Sequence, residues 1–384
     1  MLIVAVLGAV ISGVLAGNKV IEANSKVEKV KTEIETVSLL SKLAAELHNN
    51  GLSDDAQEAW SQASQATNEV LEKEANWDLK QAMLQASISL ASLQLSQKYQ
   101  ELDQPEKAKD YWSKAEQAIK ESQELLPSKI TGEMPEQWSI RLHVQRVRGS
   151  WYWENGEIEK AIEAYRQAFS RLEVAWKKLP NIDIDTEIPI PHYLPQQQPI
   201  LSANAIENLH REFMALLKEA GEDDSQIKES LKRHLLAELN FLMESDNWKD
   251  ADENTYNFII LASTQAGFEI ENISCRDLSS IDRLWVERSD GTFGFSVQKI
   301  ILDEFASQPG HYDNDVNWEG FYEKIGWREG EERLGFSYGD AIFNPEQAKE
   351  GHLPSLMKVV DKEGIWWREL DESTLFSLTA TCRL

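Results

Sequence analysis

The sequence predicts an all-α protein. Three observations carry that expectation. From Glu22 onward the chain is rich in Ala, Leu, Glu, Gln and Lys, residues that enter a helix at little cost. A small–large–small pattern at i, i+4 and i+7 recurs three times: Ala56–Trp60–Ala63, Ala108–Trp112–Ala115 and Ala161–Tyr165–Ala168. Apolar residues then return at helical spacing between 202 and 244. They are Ile206, Leu209, Phe213, Leu216 and Leu217, followed by Leu231, Leu235, Leu239 and Leu242. Gly221-Glu222-Asp223-Asp224 separates these two helices.

At 384 residues the chain exceeds one ordinary core, so several folded units are expected. Acidic residues outnumber basic ones 65 to 39, for a net charge of −26. That charge argues against nucleic acid and against docking on anionic lipid through charge alone. It suits basic partner proteins or simply a solvated acidic surface. Cys275 and Cys382 are the only cysteines. They make no disulfide framework and no zinc spacing, and they suit a reducing compartment.

Residues 2–17 carry no charge, but sixteen helical residues span only about 24 Å of a hydrocarbon core roughly 30 Å thick. Extension to Ile21 reaches about 30 Å and takes in Asn18 and Lys19. Residues 1–21 are therefore a candidate membrane anchor. A cleaved signal peptide and a buried soluble helix are the alternatives. No basic residue precedes Leu2, whereas Lys19, Lys26, Lys29 and Lys31 follow the segment. That asymmetry places the body of an anchored protein on the cytoplasmic side.

Residues 22–179 read as a helical repeat. Alanines flanking an aromatic on one face let a neighbouring helix approach closely. Five residues before each leading alanine stands a turn residue: Gly51, Asp103 and Gly156. Nine before it stands a large residue: Leu47, Tyr99 and Tyr152. The stretches NNGLSDDAQEAWSQA, QELDQPEKAKDYWSKA and WENGEIEKAIEAYRQA resemble the tetratricopeptide repeat. That resemblance implies a concave surface for a protein partner, with a structural arm as the alternative. The period here is 52 to 53 residues, longer than in the family, so longer helices or linkers are expected. Pro127 and Pro180 should stop the second helix of two units. Trp60, Trp112, Trp151 and Trp153 are expected in the core.

Five of the eleven prolines fall in 180–201, which marks an extended linker. Residues 202–234 form a helical connector. Catalytic constellations are missing from the sequence. The seven histidines show no H-E-x-x-H pair, no serine elbow is present, and no G-x-x-x-x-G-K loop cradles a phosphate. No metal site and no enzyme activity are expected.

The last segment, 235–384, holds the informative motifs. It begins with Leu239, Leu242, Trp248, Ala251, Asp252 and Thr255. Asp277, Leu278, Ile281, Leu284 and Trp285 follow, then Gly291 and the run Phe293-Gly294-Phe295-Ser296-Val297-Gln298. Ile325-Gly326-Trp327, Gly351-His352-Leu353-Pro354 and a terminal TLFSLTATCRL complete the series. In this order the residues resemble the Genomes Uncoupled family of tetrapyrrole-binding domains, regulators of magnesium chelatase in chlorophyll synthesis. The resemblance implies a mostly helical, cupped domain with an apolar hollow for protoporphyrin IX or Mg-protoporphyrin IX. It also implies a non-enzymatic role in a photosynthetic bacterium, with a magnesium chelatase subunit as a candidate partner. A scaffold whose last domain no longer binds pigment is the alternative.

The chemistry of such a ligand selects residues. A porphyrin is an apolar plate with two propionates, so its site needs aliphatic and aromatic surface with cations at the rim. Trp285, Phe293, Phe295, Val297 and Trp327 can supply the surface. Arg283, Arg288, Lys299 and Arg328 can supply the cations. Each aromatic can equally be core, and each basic residue a surface charge. His352 could reach a porphyrin-bound magnesium or could hold the Gly-His-Leu-Pro turn. By local propensity WVERSDGTFGFSV reads as a hairpin about Asp290-Gly291, while the resemblance favours helix, leaving room for a short hairpin there.

Overall fold

The structure is a computed structural model, and it describes residues 77–126, 135–176, 188, 203–263, 270–327, 342–355 and 372–384. The segment 1–21, the first repeat pattern at 56–63 and nearly all of the linker 180–201 lie outside the described residues. Among the described residues no helix is long and apolar enough to cross a membrane. The described chain is mainly helical, as expected. Its contacts divide it between Ala168 and Phe169 into two compact units.

In the first unit α1 (Trp77–Glu101) pairs with α2 (Pro105–Leu125), and α3 (Pro135–Glu154) pairs with the part of α4 (Ile158–Trp176) that reaches Ala168. The apolar spacing explains the pairing: Ala108, Tyr111, Ala115, Ala118 and Ile119 of α2 lie on one buried face. Small residues let the backbones meet. Ser89 and Ser96 of α1 donate to the carbonyls of Ala115 and Ala108, and Ser122 of α2 donates to that of Ala82. In the α3–α4 pair the small residue is Gly149. A Cβ there would lie 2.6 Å from the Tyr165 ring, which occupies that space. Ala161, Tyr165 and Ala168 are fully buried. Trp151 is buried, whereas Trp112 and Trp153 are half-buried.

Both turns have the same construction. Asp103 and Gly156 adopt left-handed φ of 56° and 73°. The next amide, Gln104 or Glu157, bonds the carbonyl five residues back, on Tyr99 or Tyr152, at 2.9 and 2.8 Å. That closes the first helix and starts the second. α2 ends at Leu125, ahead of Pro127, whereas Pro180 lies outside the described residues.

The second unit opens with α5 (Ala203–Ala220) and α6 (Ser225–Glu244), broken at 221–224 where the sequence placed the break. α7 (Trp248–Ser263) follows through a turn built like the two upstream. Asp246 has φ 56°, and the Asn247 amide bonds the Leu242 carbonyl at 2.8 Å. After α8 (Cys275–Arg288) come α9 (Phe295–Asp303), the short antiparallel strands β1 (Ala306–Gln308) and β2 (His311–Val316), α10 (Trp318–Ile325) and α11 (Glu372–Thr381). A cluster of Val297, Ile301, Leu302, Tyr312, Phe321 and Phe376 packs α9, α10, β2 and α11 together.

Two expectations are corrected here. The hairpin at Asp290-Gly291 is absent: α8 runs to Arg288 and α9 begins at Phe295. Asp290 and Gly291 do have left-handed φ, 52° and 80°, but they terminate a helix. The Gly291 amide bonds the Val286 carbonyl at 2.8 Å, a helix-capping bond. The strand pair lies instead at 306–316. Secondly, Cys275 and Cys382 are joined as a disulfide. The two cysteines stand 107 positions apart in the sequence, but the fold brings their Cα atoms to 5.2 Å, within disulfide reach.

Two buried histidines bear on acid stability. His210 of α5 and His234 of α6 stack at 6.0 Å. Burial lowers their pKa to about 4 and about 3. Both lie below the ordinary 6.5, so the unfolded chain binds protons that the folded chain refuses. Their contribution is complete above the ordinary histidine value and falls away as pH drops. Glu238, 3.8 Å from His234, opposes them. Burial, with the Glu207 and Asp250 carboxylates, pushes it to about 7, so its contribution is lost as pH rises through that value. The lowered histidines outnumber the opposing glutamate, so stability is expected to fall as pH drops from about 6 to about 5. Urea unfolding of the second unit's signal at pH 7, 6 and 5 measures it. A flat profile would contradict the assignment.

Candidate functional site

The motif residues converge on one short stretch, Gly351-His352-Leu353-Pro354-Ser355, which is buried throughout. The loop between α8 and α9 grips it by two backbone bonds. The Gly351 amide donates to Thr292 at 2.9 Å, and the Gly294 amide donates to Leu353 at 3.1 Å. Gln298 of α9 donates to the carbonyls of Gly351 and Pro354, both at 2.9 Å. The Trp327 indole donates to the His352 carbonyl at 2.7 Å. Asp252 of α7 accepts the Ser355 amide at 2.6 Å and also the Ser355 hydroxyl. Such bonds explain residue types that composition alone leaves arbitrary, because each buried polar group meets a partner. Glycine is required at 351, where φ is 75° and a Cβ would lie 2.8 Å from Ile301.

His352 is occupied at both ring nitrogens. Nδ1 donates to the Ile325 carbonyl at 2.9 Å, and Nε2 accepts the Ile342 amide at 3.0 Å. Burial holds its pKa below the ordinary imidazole value, and the Lys349 ammonium adds to that effect. The neutral ring therefore serves the turn.

The candidate plate contacts divide into separate environments. Trp285 and Phe293 pack with Trp248 at ring distances of 5.8 to 6.1 Å. Trp285 donates to Thr255 Oγ1 at 2.9 Å. Trp285, Phe293 and Phe295 have no exposed surface. Val297 and Trp327 belong to the cluster around Phe321. The candidate cations are equally distinct. Arg288 bonds Asn240 and Glu244, both at 2.8 Å. Lys299 pairs with Asp303 one turn on at 2.9 Å. Arg283 is half-buried, and Arg328 lies outside the described residues. Among the described residues no cluster of His, Cys, Asp or Glu could hold a metal ion.

Several residues of this centre were not singled out from the sequence. Asp282 accepts the Ser296 amide at 2.8 Å and so caps α9, whose own cap position is Gly294. Ser355 completes the clamp. Buried Lys232 pairs with Asp277 at 2.9 Å and ties α6 to α8. Their partners lie 14, 103 and 45 residues away, beyond any local pattern.

Residues 229–375, which contain the whole clamp, match the family model described as GUN4-like. This region is a GUN4-like domain. A relative named "Tetrapyrrole-binding protein, chloroplastic" from Arabidopsis thaliana is 40% identical over 65 residues, 15% of this chain and 24% of that protein. "Uncharacterized protein ycf53" of Porphyra purpurea is 32% identical over 103 residues, 27% of this chain and 36% of that one. Its namesake in Cyanidium caldarium is 27% identical over 124 residues, 30% and 48% of the two chains. The chain thus spans about a quarter to a half of these relatives' length. The ligand-free structure of Arabidopsis thaliana GUN4 shares 27% identity, with a TM-score of 0.27, over 31% of this chain and 80% of that one. The GUN4-like domain here therefore includes α7 to α10 and the buried 351–355 stretch, with Asp252, Gln298 and Trp327 as its internal clamps.

Proposed function

We propose that the chain is a membrane-tethered tetrapyrrole-binding regulator, not an enzyme. Its GUN4-like domain takes protoporphyrin IX or Mg-protoporphyrin IX, and its helical pairs recruit a protein partner. The carrying observation is that the GUN4-like match encloses the clamp of Asp252, Gln298, Trp327 and His352. A relative whose name records tetrapyrrole binding supports the same ligand class. A magnesium chelatase subunit is the candidate partner. The uncharged stretch 2–17 supports the tether, with the body on the cytoplasmic side and the setting a photosynthetic bacterium. The aromatic-flanked helical pairs and an open cleft of about 200 Å³ between Arg148, Tyr152 and Lys160 support the tetratricopeptide-like partner surface.

One observation favours a second reading, an interaction scaffold without pigment. Trp285, Phe293 and Phe295 are buried by the chain itself, and Arg288 and Lys299 are paired internally. Titration of the full chain with protoporphyrin IX and its magnesium complex separates the two. The expected result is a Soret shift and fluorescence quenching with half-saturation below about 50 μM, an association of about 6 kcal/mol. An unchanged spectrum throughout that range leaves only the scaffold.

A further inference from the structure

We propose that Cys275 and Cys382 form a reversible thiol–disulfide site that fastens the end of α11 to the start of α8. The bond encloses most of the GUN4-like domain, its two cysteines standing 107 positions apart in the chain. Both residues reach the surface: Cys275 is exposed and Cys382 is partly exposed. A reductant therefore meets the bond without unfolding the domain.

The anchoring of α11 makes reduction survivable. Leu375, Phe376 and Thr379 are buried, and the Phe376 ring meets Phe321 at 5.7 Å and Tyr312 at 6.2 Å. Past the helix the restraints are sparse. The amides of Cys382, Arg383 and Leu384 bond back to Leu378, Ala380 and Thr379. Reduction thus frees the last residues and loosens α11, while α6 and α7 keep their own contacts.

The chemistry balances with a dithiol as reductant. Its thiolate attacks Cys382 Sγ and breaks the bond to Cys275, which leaves as a thiolate and takes up a proton. Cys275 opens α8, and a helix N-terminus favours a leaving anion. The second thiol of the reductant then attacks the mixed disulfide, so Cys382 leaves and is protonated. Two electrons and two protons reach the protein, and the reductant ends as its own disulfide.

The test uses the full chain with dithiothreitol as probe. Protein purified in air is expected to show no reactive thiol, even when denatured. After dithiothreitol under native conditions, two thiols per chain are expected, together with a melting temperature about 10 °C lower. Amides of 375–384 should exchange faster and those of α7 should not. Removal of the reductant followed by diamide should reverse every change. Cys275→Ser and Cys382→Ser should each melt with the reduced form and ignore dithiothreitol. Two free thiols after air and diamide would overturn the proposal. So would reduction that succeeds only in denaturant, or reduction that leaves the melting temperature unchanged. If the variants do not fold, the oxidised and reduced wild-type forms decide alone.

Discussion

Trp285→Ala is expected to destabilise the GUN4-like domain by about 4 kcal/mol. The ring is fully buried against Trp248 and Phe293, and truncation leaves a cavity between α7 and α8 as well as lost burial. It also removes the donor to Thr255 Oγ1. Urea unfolding followed by far-ultraviolet circular dichroism measures the change. A loss below about 1 kcal/mol would show that the site refills, and that this ring does not organise the core. The same burial governs how pigment experiments are read. A Trp285→Ala protein that fails to bind porphyrin reports a lost fold before it reports a lost contact. Trp285→Phe keeps most of the volume and is the better probe.

Asp252→Ala should cost about 3 kcal/mol by a different route. It leaves the Ser355 amide and hydroxyl without their acceptor in a buried setting. The damage should concentrate at 351–355, where amide exchange would rise by more than elsewhere. Asp252→Asn keeps one carbonyl acceptor and should lose less than the alanine variant. Equal stability of the two variants would mean that the carboxylate does not hold Ser355.

The helical character was legible because it rests on local periodicity. The turn positions Asp103 and Gly156 were visible as residues that tolerate left-handed backbone, and both adopt it. The break at 221–224 followed from the same logic. At Asp290-Gly291 this logic misled, because left-handed residues end helices as readily as they make hairpins. Only the bond from Gly291 to Val286 distinguishes the outcomes. The motif residues of the last domain were legible as a set, but their roles were not. Gln298 and Asp252 spend their polar groups on a stretch 53 to 103 residues away, and sequence spacing does not encode that partner. Trp285 and Phe293 read equally as ligand surface or as core, because the same apolar area serves both.

The occupied nitrogens of His352 limit how a metallated macrocycle could be told from a metal-free one. While Nε2 accepts the Ile342 amide it has no lone pair free for a central magnesium, although Nδ1 could keep its bond to the Ile325 carbonyl under such ligation. Discrimination between the two pigments would then have to come from the shape of the plate or from its carboxylate arms.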